Sequence, residues 1–190
     1  MDSHGLLLTI DDGPSPQWTP QFLALLRKYK IKATFSLIGR QVAQYPSLVR
    51  AIVKDGHSLA NHTWDHDEKL AIRPAATIHS EIARTQDAII AASGYRPHLY
   101  RAPGGGWGPP IFAEIAAQQM TPLGWNIDPR DWARPGIPAI TAAMLKAGPG
   151  DIILCHDGGG DRSQTYSALT TVISTLQSRG LHFITLPTQK

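Results

Sequence analysis

The chain has 190 residues, of which 42% are hydrophobic and 17% charged, and its formal net charge at pH 7 is +3. This composition excludes a disordered or fibrous chain, and the length suits one globular domain over residues 1–190. The few clustered basic residues lie where the first helix is predicted to end, so we expect no nucleic-acid partner. No apolar stretch approaches the ~18 residues of a membrane span.

Short apolar runs alternate with longer segments of helical period. The predicted strands cover residues 6–10, 33–37, 58–61, 98–100, 123–126, 151–154 and 182–185. The predicted helices cover residues 20–28, 40–54, 75–92, 110–119, 139–146 and 165–179. This alternation predicts an α/β fold with a parallel sheet, because each parallel neighbour needs a crossover. A (β/α) barrel with fewer than eight units and an open doubly wound sheet both fit.

Polar residues follow nearly every predicted strand. Asp11 and Asp12 come directly after the first strand, and we expect them at its mouth and not inside the sheet. The later strands are followed by His62 and His66, by Arg101, by Asp128, Asp131 and Trp132, and by His156 and Asp157. Both architectures bind ligands at the carboxyl ends of strands, so these side chains predict one site on one rim.

The segment NHTWDH places His62 and His66 four positions apart, which puts both imidazoles on one face if the chain makes a helical turn. Alone, such a pair is more often structural. With the carboxylate of Asp12 on the same rim, the pair suits Zn²⁺ and leaves a fourth position open to water.

Two further segments carry chemistry. In RAPGGGWGPP, residues 101–110, the glycines allow backbone N–H groups to approach a ligand, although a loop without a ligand fits equally well. In NIDPRDW and ILCHDGGGDRSQT, a carboxylate beside a histidine can orient the imidazole and raise its pKa. We expect Asp157 and Asp161 only to fix the glycine turn, and Cys155 to be a small buried core residue.

Taken together, these segments resemble the polysaccharide deacetylase family, also called the NodB-homology domain or carbohydrate esterase family four. TIDDGP resembles its TFDDGP signature, NHTWDH its H-[ST]-x-x-H, RAPGG its R-x-P-x-G, DPRDW its D-x-x-D-W and LCH its L-x-H. All five occur in the family's order. The resemblance implies a distorted (β/α) barrel with about seven units and a metal-dependent hydrolase that removes acetyl groups from sugars, most often N-acetylglucosamine.

The resemblance also implies roles for individual residues. Asp12, His62 and His66 would bind the metal, with Zn²⁺ expected and Co²⁺ or Ni²⁺ as alternatives. The other implied roles are Asp11 as general base, His156 as general acid, Arg101 as the partner of Asp11, Asp131 as the residue that tunes His156, and Trp132 and Leu154 as the acetyl pocket. We expect the Gly104 N–H to donate to the oxyanion. Trp107 would offer an aromatic face in place of the tyrosine that the family often has at position 104.

Three functions stay open at this point. The first is an N-deacetylase of peptidoglycan or chitin-type oligomers, and the second is an O-deacetylase of acetylated xylan. The third is a non-catalytic glycan-binding module, which would lack a ligand, base or acid, whereas none is missing here. We expect an acetylated glycan as the partner, a monomer, and an extracellular or cell-wall location with the export segment absent from this sequence. A cytoplasmic location stays open.

Overall fold

In a computed structural model of the chain, which describes residues 4–186, strands and helices alternate as predicted. The strands are β1 (Gly5–Gly13), β2 (Thr34–Leu37), β3 (Ser58–Asn61), β4 (Leu99–Tyr100), β5 (Thr121–Pro122), β6 (Ile152–His156) and β7 (His182–Ile184). The α-helices are α1 (Thr19–Lys28), α2 (Gly39–Gln44), α3 (Pro46–Lys54), α4 (Ala75–Ser93), α5 (Pro109–Ala117), α6 (Ile137–Met144) and α7 (Ser163–Ser178). Short 3₁₀ helices lie at Leu70–Ile72, Pro103–Gly105 and Asp131–Ala133. Residues 1–3 and 187–190 of the predicted domain lie outside the described part.

All strand pairs are parallel, and the sheet order is β5-β4-β3-β2-β1-β6, with β7 paired to the beginning of β1. Beyond β5 the chain reaches the other edge of the sheet, where Ile127 forms a single parallel bridge with Ile153 of β6. The sheet therefore curls into a distorted (β/α) barrel with a weakly paired seam, which confirms the predicted fold class. Within the described residues, no helix has both the length and the hydropathy needed to cross a bilayer.

Strand β1 pairs with more strands than any other in the described sheet and determines where the site lies. It pairs with β2, β6 and β7, and every residue in it except Asp12 is buried. Leu6, Leu8 and Ile10 belong to the main hydrophobic core. A parallel strand covered on both faces has such a continuous apolar sequence, so the carboxyl end of β1 is held firmly.

The first strand is longer than residues 6–10, and the expectation that both aspartates lie beyond it is wrong. Asp11 pairs with Ser36 of β2 and with His156 of β6. The register then shifts before Gly13, and Asp12 takes a positive φ of 74°. Main-chain pairing on both sides of β1 thus carries the strand through the two carboxylates.

Two other predicted elements are also corrected. The predicted helix over residues 40–54 is two helices, because Pro46 lacks the N–H that a continuing helix needs and instead begins α3. The predicted strand over residues 123–126 is not a strand. The backbone in this segment changes its hydrogen-bonding partner. The Leu123 N–H donates to the Tyr100 carbonyl of β4 (2.8 Å), whereas the Asn126 N–H donates to the Ile152 carbonyl of β6 (3.2 Å).

We expect Ile173→Ala in α7 to lower the free energy of unfolding by about 2–5 kcal/mol, because the side chain is completely buried in the main core and its loss leaves a cavity. The matched control is Ile72→Ala, since Ile72 is 80% exposed and its truncation should change stability by less than about 0.5 kcal/mol. Urea denaturation followed by circular dichroism measures both. Equal losses in the two variants would contradict this account of the core.

Candidate active site

A cavity of about 390 Å³ opens at the carboxyl ends of the strands. It is lined by Asp11, Asp12, His62, His66, Glu68, Ala102, Gly104, Trp125, Asp128, Trp132, Leu154 and His156. The predicted site residues are therefore brought together here, except Arg101, Asp131 and Trp107. Arg101 and Asp131 lie directly behind lining residues, whereas Trp107 points elsewhere.

Asp12, His62 and His66 form a cluster of potential metal ligands. The Nε2 atoms of His62 and His66 lie 3.4 and 3.3 Å from Asp12 Oδ1, and one ligand atom from each residue lies within 4.8 Å of the others. The histidines do not share a helical turn, which differs from the arrangement considered in the sequence analysis. Instead, Thr63 and His66 adopt positive φ angles, and the His66 N–H donates to Thr63 Oγ1. A tight non-helical loop thus brings the imidazoles together.

The hydrogen bonds around this cluster leave its ligand atoms free. His62 Nδ1 lies 2.8 Å from the carbonyl oxygen of Arg101, which only accepts, so a neutral His62 carries its proton on Nδ1. Its Nε2 lone pair then faces Asp12 Oδ1, a buried oxygen without a hydrogen-bond partner among the described residues. Two facing lone pairs repel each other unless a proton or a metal ion lies between them, and a bound metal ion fits this arrangement.

The charge states of the cluster fit the same interpretation. Burial alone would raise the pKa of Asp12, but the imidazoles of His62, His156 and His66 hold it well below its usual value. Burial and the neighbouring His62 lower the pKa of His66. An ionised carboxylate and an imidazole that loses its proton readily, as that of His66 does, suit metal binding, and this donor set fits Zn²⁺.

Asp11 is held from behind by a buried cation. Arg101 Nη1 lies 3.4 Å from Asp11 Oδ2, and Arg101 Nη2 donates to Thr9 Oγ1 at 2.9 Å. Thr9 in turn donates to the carbonyl of Ile153. The other carboxylate oxygen of Asp11, Oδ1, has no partner among the described residues. Asp11 therefore has one anchored oxygen and one oxygen free to take a proton.

His156 is held by Asp131, which lies behind it and is almost completely buried. His156 Nδ1 lies 2.7 Å from Asp131 Oδ1, and the backbone N–H of His156 donates to Asp131 Oδ2 at 3.0 Å. Thr165 Oγ1 also donates to Asp131. Burial opposes protonation, but the hydrogen bond and charge of Asp131 raise the pKa of His156 to about 9. At neutral pH the imidazole is thus a cation with a proton to give.

Gly104 lies in the cavity wall with a positive φ of 55°, and its backbone N–H makes no hydrogen bond to any residue from 4 to 186. The N–H is therefore free to donate to a ligand. Leu154 and Trp132 line the same cavity, and the Trp132 side chain is half exposed.

Trp107 does not line this cavity, and its expected role as an aromatic face for the substrate stays a prediction. Its ring stacks on Phe112 at 5.4 Å and meets Tyr100 edge-on at 5.9 Å. Its apolar surface therefore packs against a second, smaller hydrophobic cluster that includes Tyr100, Ile111 and Ile115. The aromatic wall comes from Trp125, whose ring centroid lies 5.0 Å from Arg101 Cζ.

Sequence reasoning missed Trp125 and Glu68 and did not decide the role of Asp128. Trp125 lies inside the predicted strand over residues 123–126, three positions before the DPRDW segment. Asp128 lines the cavity while its Oδ1 accepts the Arg130 N–H. Glu68 enters beside Gly104, where a Cβ atom would lie only 3.0 Å from the Glu68 side chain.

Asp157 and Asp161 do not fix the glycine turn as expected, because their side chains bond to residues outside it. Asp157 is completely buried, accepts a 2.5 Å hydrogen bond from Thr19 Oγ1, and burial raises its pKa to about 7. Asp161 accepts from the Ser163 N–H at the start of α7. Cys155 is also completely buried, which confirms its assignment to the core.

Residues 1–123, which contain Asp11, Asp12, His62, His66 and Arg101, match the family model described as polysaccharide deacetylase. The chain belongs to the polysaccharide deacetylase family. The predicted resemblance is thereby confirmed.

Relatives within this family cover nearly the whole chain. A peptidoglycan-N-acetylglucosamine deacetylase from Bacillus cereus is 39% identical over 190 residues, which are 95% of this chain and 85% of the relative. A chitooligosaccharide deacetylase from Rhizobium leguminosarum bv. trifolii is 38% identical over 198 residues, covering 98% and 92%. The solved structure of a family 4 carbohydrate esterase from Streptomyces lividans in complex with acetate has a TM-score of 0.91 and 35% identity, covering 97% of this chain and 93% of that one.

We expect Asp131→Asn to lower the pKa of His156 from about 9 to its ordinary value of ~6.5 or below. The amide keeps the shape of the carboxylate but removes the negative charge that offsets the effect of burial on this pKa. Titration of the histidine ring signals by NMR in the metal-free protein measures this shift. His57, whose pKa burial lowers to about 4, serves as the internal control and should titrate identically in both proteins. An unchanged His156 titration would show that Asp131 does not control it.

Proposed function

We propose that the chain is a metal-dependent hydrolase that removes N-acetyl groups from N-acetylglucosamine-containing glycans, such as peptidoglycan or chitin-type oligomers. The observation that carries this proposal is the three-residue ligand cluster flanked by a carboxylate with one free oxygen and by a protonated imidazole. The relatives support the substrate class, because their names are those of peptidoglycan and chitooligosaccharide deacetylases.

Asp12, His62 and His66 would hold the metal through Oδ1 and the two Nε2 atoms. When bound, Zn²⁺ polarises a carbonyl and lowers the pKa of a coordinated water from ~15.7 towards ~7. Co²⁺ and Ni²⁺ accept the same ligands and are the alternatives. Acetate release by the chelated protein reloaded with Zn²⁺, Co²⁺ or Ni²⁺ in turn shows which of these metals supports activity.

The protein's own groups then divide the proton transfers. Asp11 Oδ1 takes the proton of the attacking water, while Arg101 keeps the Asp11 carboxylate in place. The N–H of Gly104 donates to the oxyanion of the tetrahedral intermediate. His156 gives its Nε2 proton to the departing amine, which leaves poorly unless it is protonated.

The leaving group separates the leading function from the ester alternative. The alkoxide that leaves an acetyl ester depends less on protonation than the amine that leaves an N-acetyl group. The raised pKa of His156, about 9, keeps a proton available at neutral pH and so favours amide cleavage. A glycan-binding module would use none of these acid and base positions. A cell-wall or extracellular location and a monomeric state complete the proposal.

The test is acetate release from N-acetylglucosamine tetramers by the purified chain, first stripped with a chelator and then given one equivalent of Zn²⁺. Release that stops on chelation and returns with Zn²⁺ is expected. Zinc binding without acetate release in either state would overturn the N-deacetylase proposal, and release that ignores chelation would overturn the metal dependence.

Two neighbouring carboxylates allow a matched comparison. Asp11→Asn should keep Zn²⁺ binding but lower kcat by about 10²–10⁴-fold, the usual contribution of a positioned base. Asp12→Asn should lose Zn²⁺ affinity itself, because a neutral amide replaces an anionic ligand. Isothermal titration with Zn²⁺ and acetate release are measured on both variants. Loss of metal binding in Asp11→Asn would show that the two roles are wrongly divided.

His156→Ala should nearly abolish cleavage of the N-acetyl amide and largely spare cleavage of 4-nitrophenyl acetate, since nitrophenolate leaves without a proton. The two substrates are assayed on the same zinc-loaded preparation. If both activities fall by the same factor, His156 is not the acid for the leaving group.

A further inference from the structure

The histidine loop, residues 62–66, has a backbone conformation that its sequence does not favour. Thr63 and His66 have positive φ angles of 63° and 62°. Such left-handed conformations are unfavourable for residues that carry a Cβ atom, and they persist only where the surrounding structure holds them. The contacts around this loop therefore decide where His66 lies.

The two histidines of the loop are held in different ways. The His62 N–H donates to the Leu37 carbonyl of β2 at 3.1 Å, and the His62 ring is fixed by the Arg101 carbonyl. Among the described residues, only Asp12 Oδ1 makes a polar contact with the His66 ring, at 3.3 Å, and no hydrogen bond reaches His66 Nδ1. The position of the His66 ring thus depends on the backbone of the loop.

Glu81 of α4 binds this backbone directly before His66. Its Oε2 atom accepts two hydrogen bonds, one from the Trp64 N–H and one from the Asp65 N–H, each 2.9 Å long. Hydrogen bonds to an ionised carboxylate are stronger than those between neutral groups. One carboxylate oxygen therefore fixes two consecutive peptide units that lead into the second histidine.

Helix α2 holds the loop from the opposite side. The Gly39 N–H donates to the Thr63 carbonyl at 2.9 Å. A Cβ atom on Gly39 would collide with the Trp64 ring, so this ring packs directly on the helix backbone. Arg84 of α4 lies over the same ring, with its Cζ 4.1 Å from the ring centroid. These contacts hold the beginning of the loop, and Glu81 holds the peptide units that follow.

We infer that Glu81 is a positioning residue for the metal site, because its grip on the histidine loop keeps His66 Nε2 beside Asp12 Oδ1. Glu81 does not line the cavity, so it acts through the loop and not by contact with the metal or the substrate. This inference rests on the proposed function. It adds that the metal affinity depends on α4, a helix that contributes no ligand to the cluster.

The test measures Zn²⁺ binding by variants of the metal-free chain in competition with a chromophoric chelator. Glu81→Ala removes the acceptor of both N–H groups and should raise the Kd for Zn²⁺ about 10–100-fold, the usual effect of removing a group that orients a metal ligand. Glu81→Gln keeps an oxygen that can accept both hydrogen bonds and should restore most of the affinity. Glu114→Ala is the matched control, since Glu114 is also a partly buried helical carboxylate but bonds His79 and Gln118, away from the loop.

Two further measurements separate positioning from stability. Urea denaturation of the metal-free variants reports lost stability, but a purely structural role would leave the Zn²⁺ Kd of the folded protein unchanged. The visible spectrum of the Co²⁺-loaded chain should change in Glu81→Ala, because a displaced His66 alters the coordination geometry, and should return in Glu81→Gln. Glu81→Asp is a milder variant that withdraws the oxygen by one methylene, and its Kd should also rise.

The outcomes distinguish this inference from the proposed function. An unchanged Zn²⁺ Kd in Glu81→Ala and Glu81→Asp, or an equal rise in Glu81→Ala and either Glu81→Gln or Glu114→Ala, would overturn the inference while the hydrolase stands. A folded wild-type chain that binds no Zn²⁺ would instead overturn the proposed metal dependence.

Discussion

The guanidinium of Arg101 is completely buried beneath the cavity, and the geometry on both sides of the site depends on it. Its side chain holds Asp11 and Thr9, while its backbone carbonyl fixes the proton of His62 on Nδ1. Burial lowers the pKa of Arg101, and the charge of Asp11 opposes this shift. A buried cation is stable only when it is paired and hydrogen-bonded, so Arg101 and Asp11 require each other.

The same design is repeated with opposite sign across the cavity. Asp11 has a cation behind it, and His156 has an anion behind it, in Asp131. Each partner is almost completely buried and lies outside the cavity, so it orients Asp11 or His156 without blocking access to the cavity. Between them lie Asp12, His62 and His66, the cluster of potential metal ligands. A carboxylate base, a metal and a cationic acid in this order suit the hydrolysis of an amide.

Much of this arrangement could be predicted from the sequence, because strand ends and chemical residues coincide along the chain. The rim position of His62, Arg101 and His156 followed from the alternation of elements alone. The sequence does not reveal which of two nearby tryptophans lines the cavity and which packs against Phe112. The positive φ angles of the histidine loop also cannot be recognised in the sequence.

The central claim is that Asp12, His62 and His66 bind one metal ion while Asp11 stays free. A crystal structure of the zinc-loaded protein, with the anomalous signal recorded at the zinc edge, tests it most directly. We expect one peak within ~2.0–2.2 Å of both Nε2 atoms and one Asp12 oxygen, with the Asp11 carboxylate not coordinated. A peak coordinated by Asp11, or zinc bound elsewhere with this cluster empty, would contradict the account.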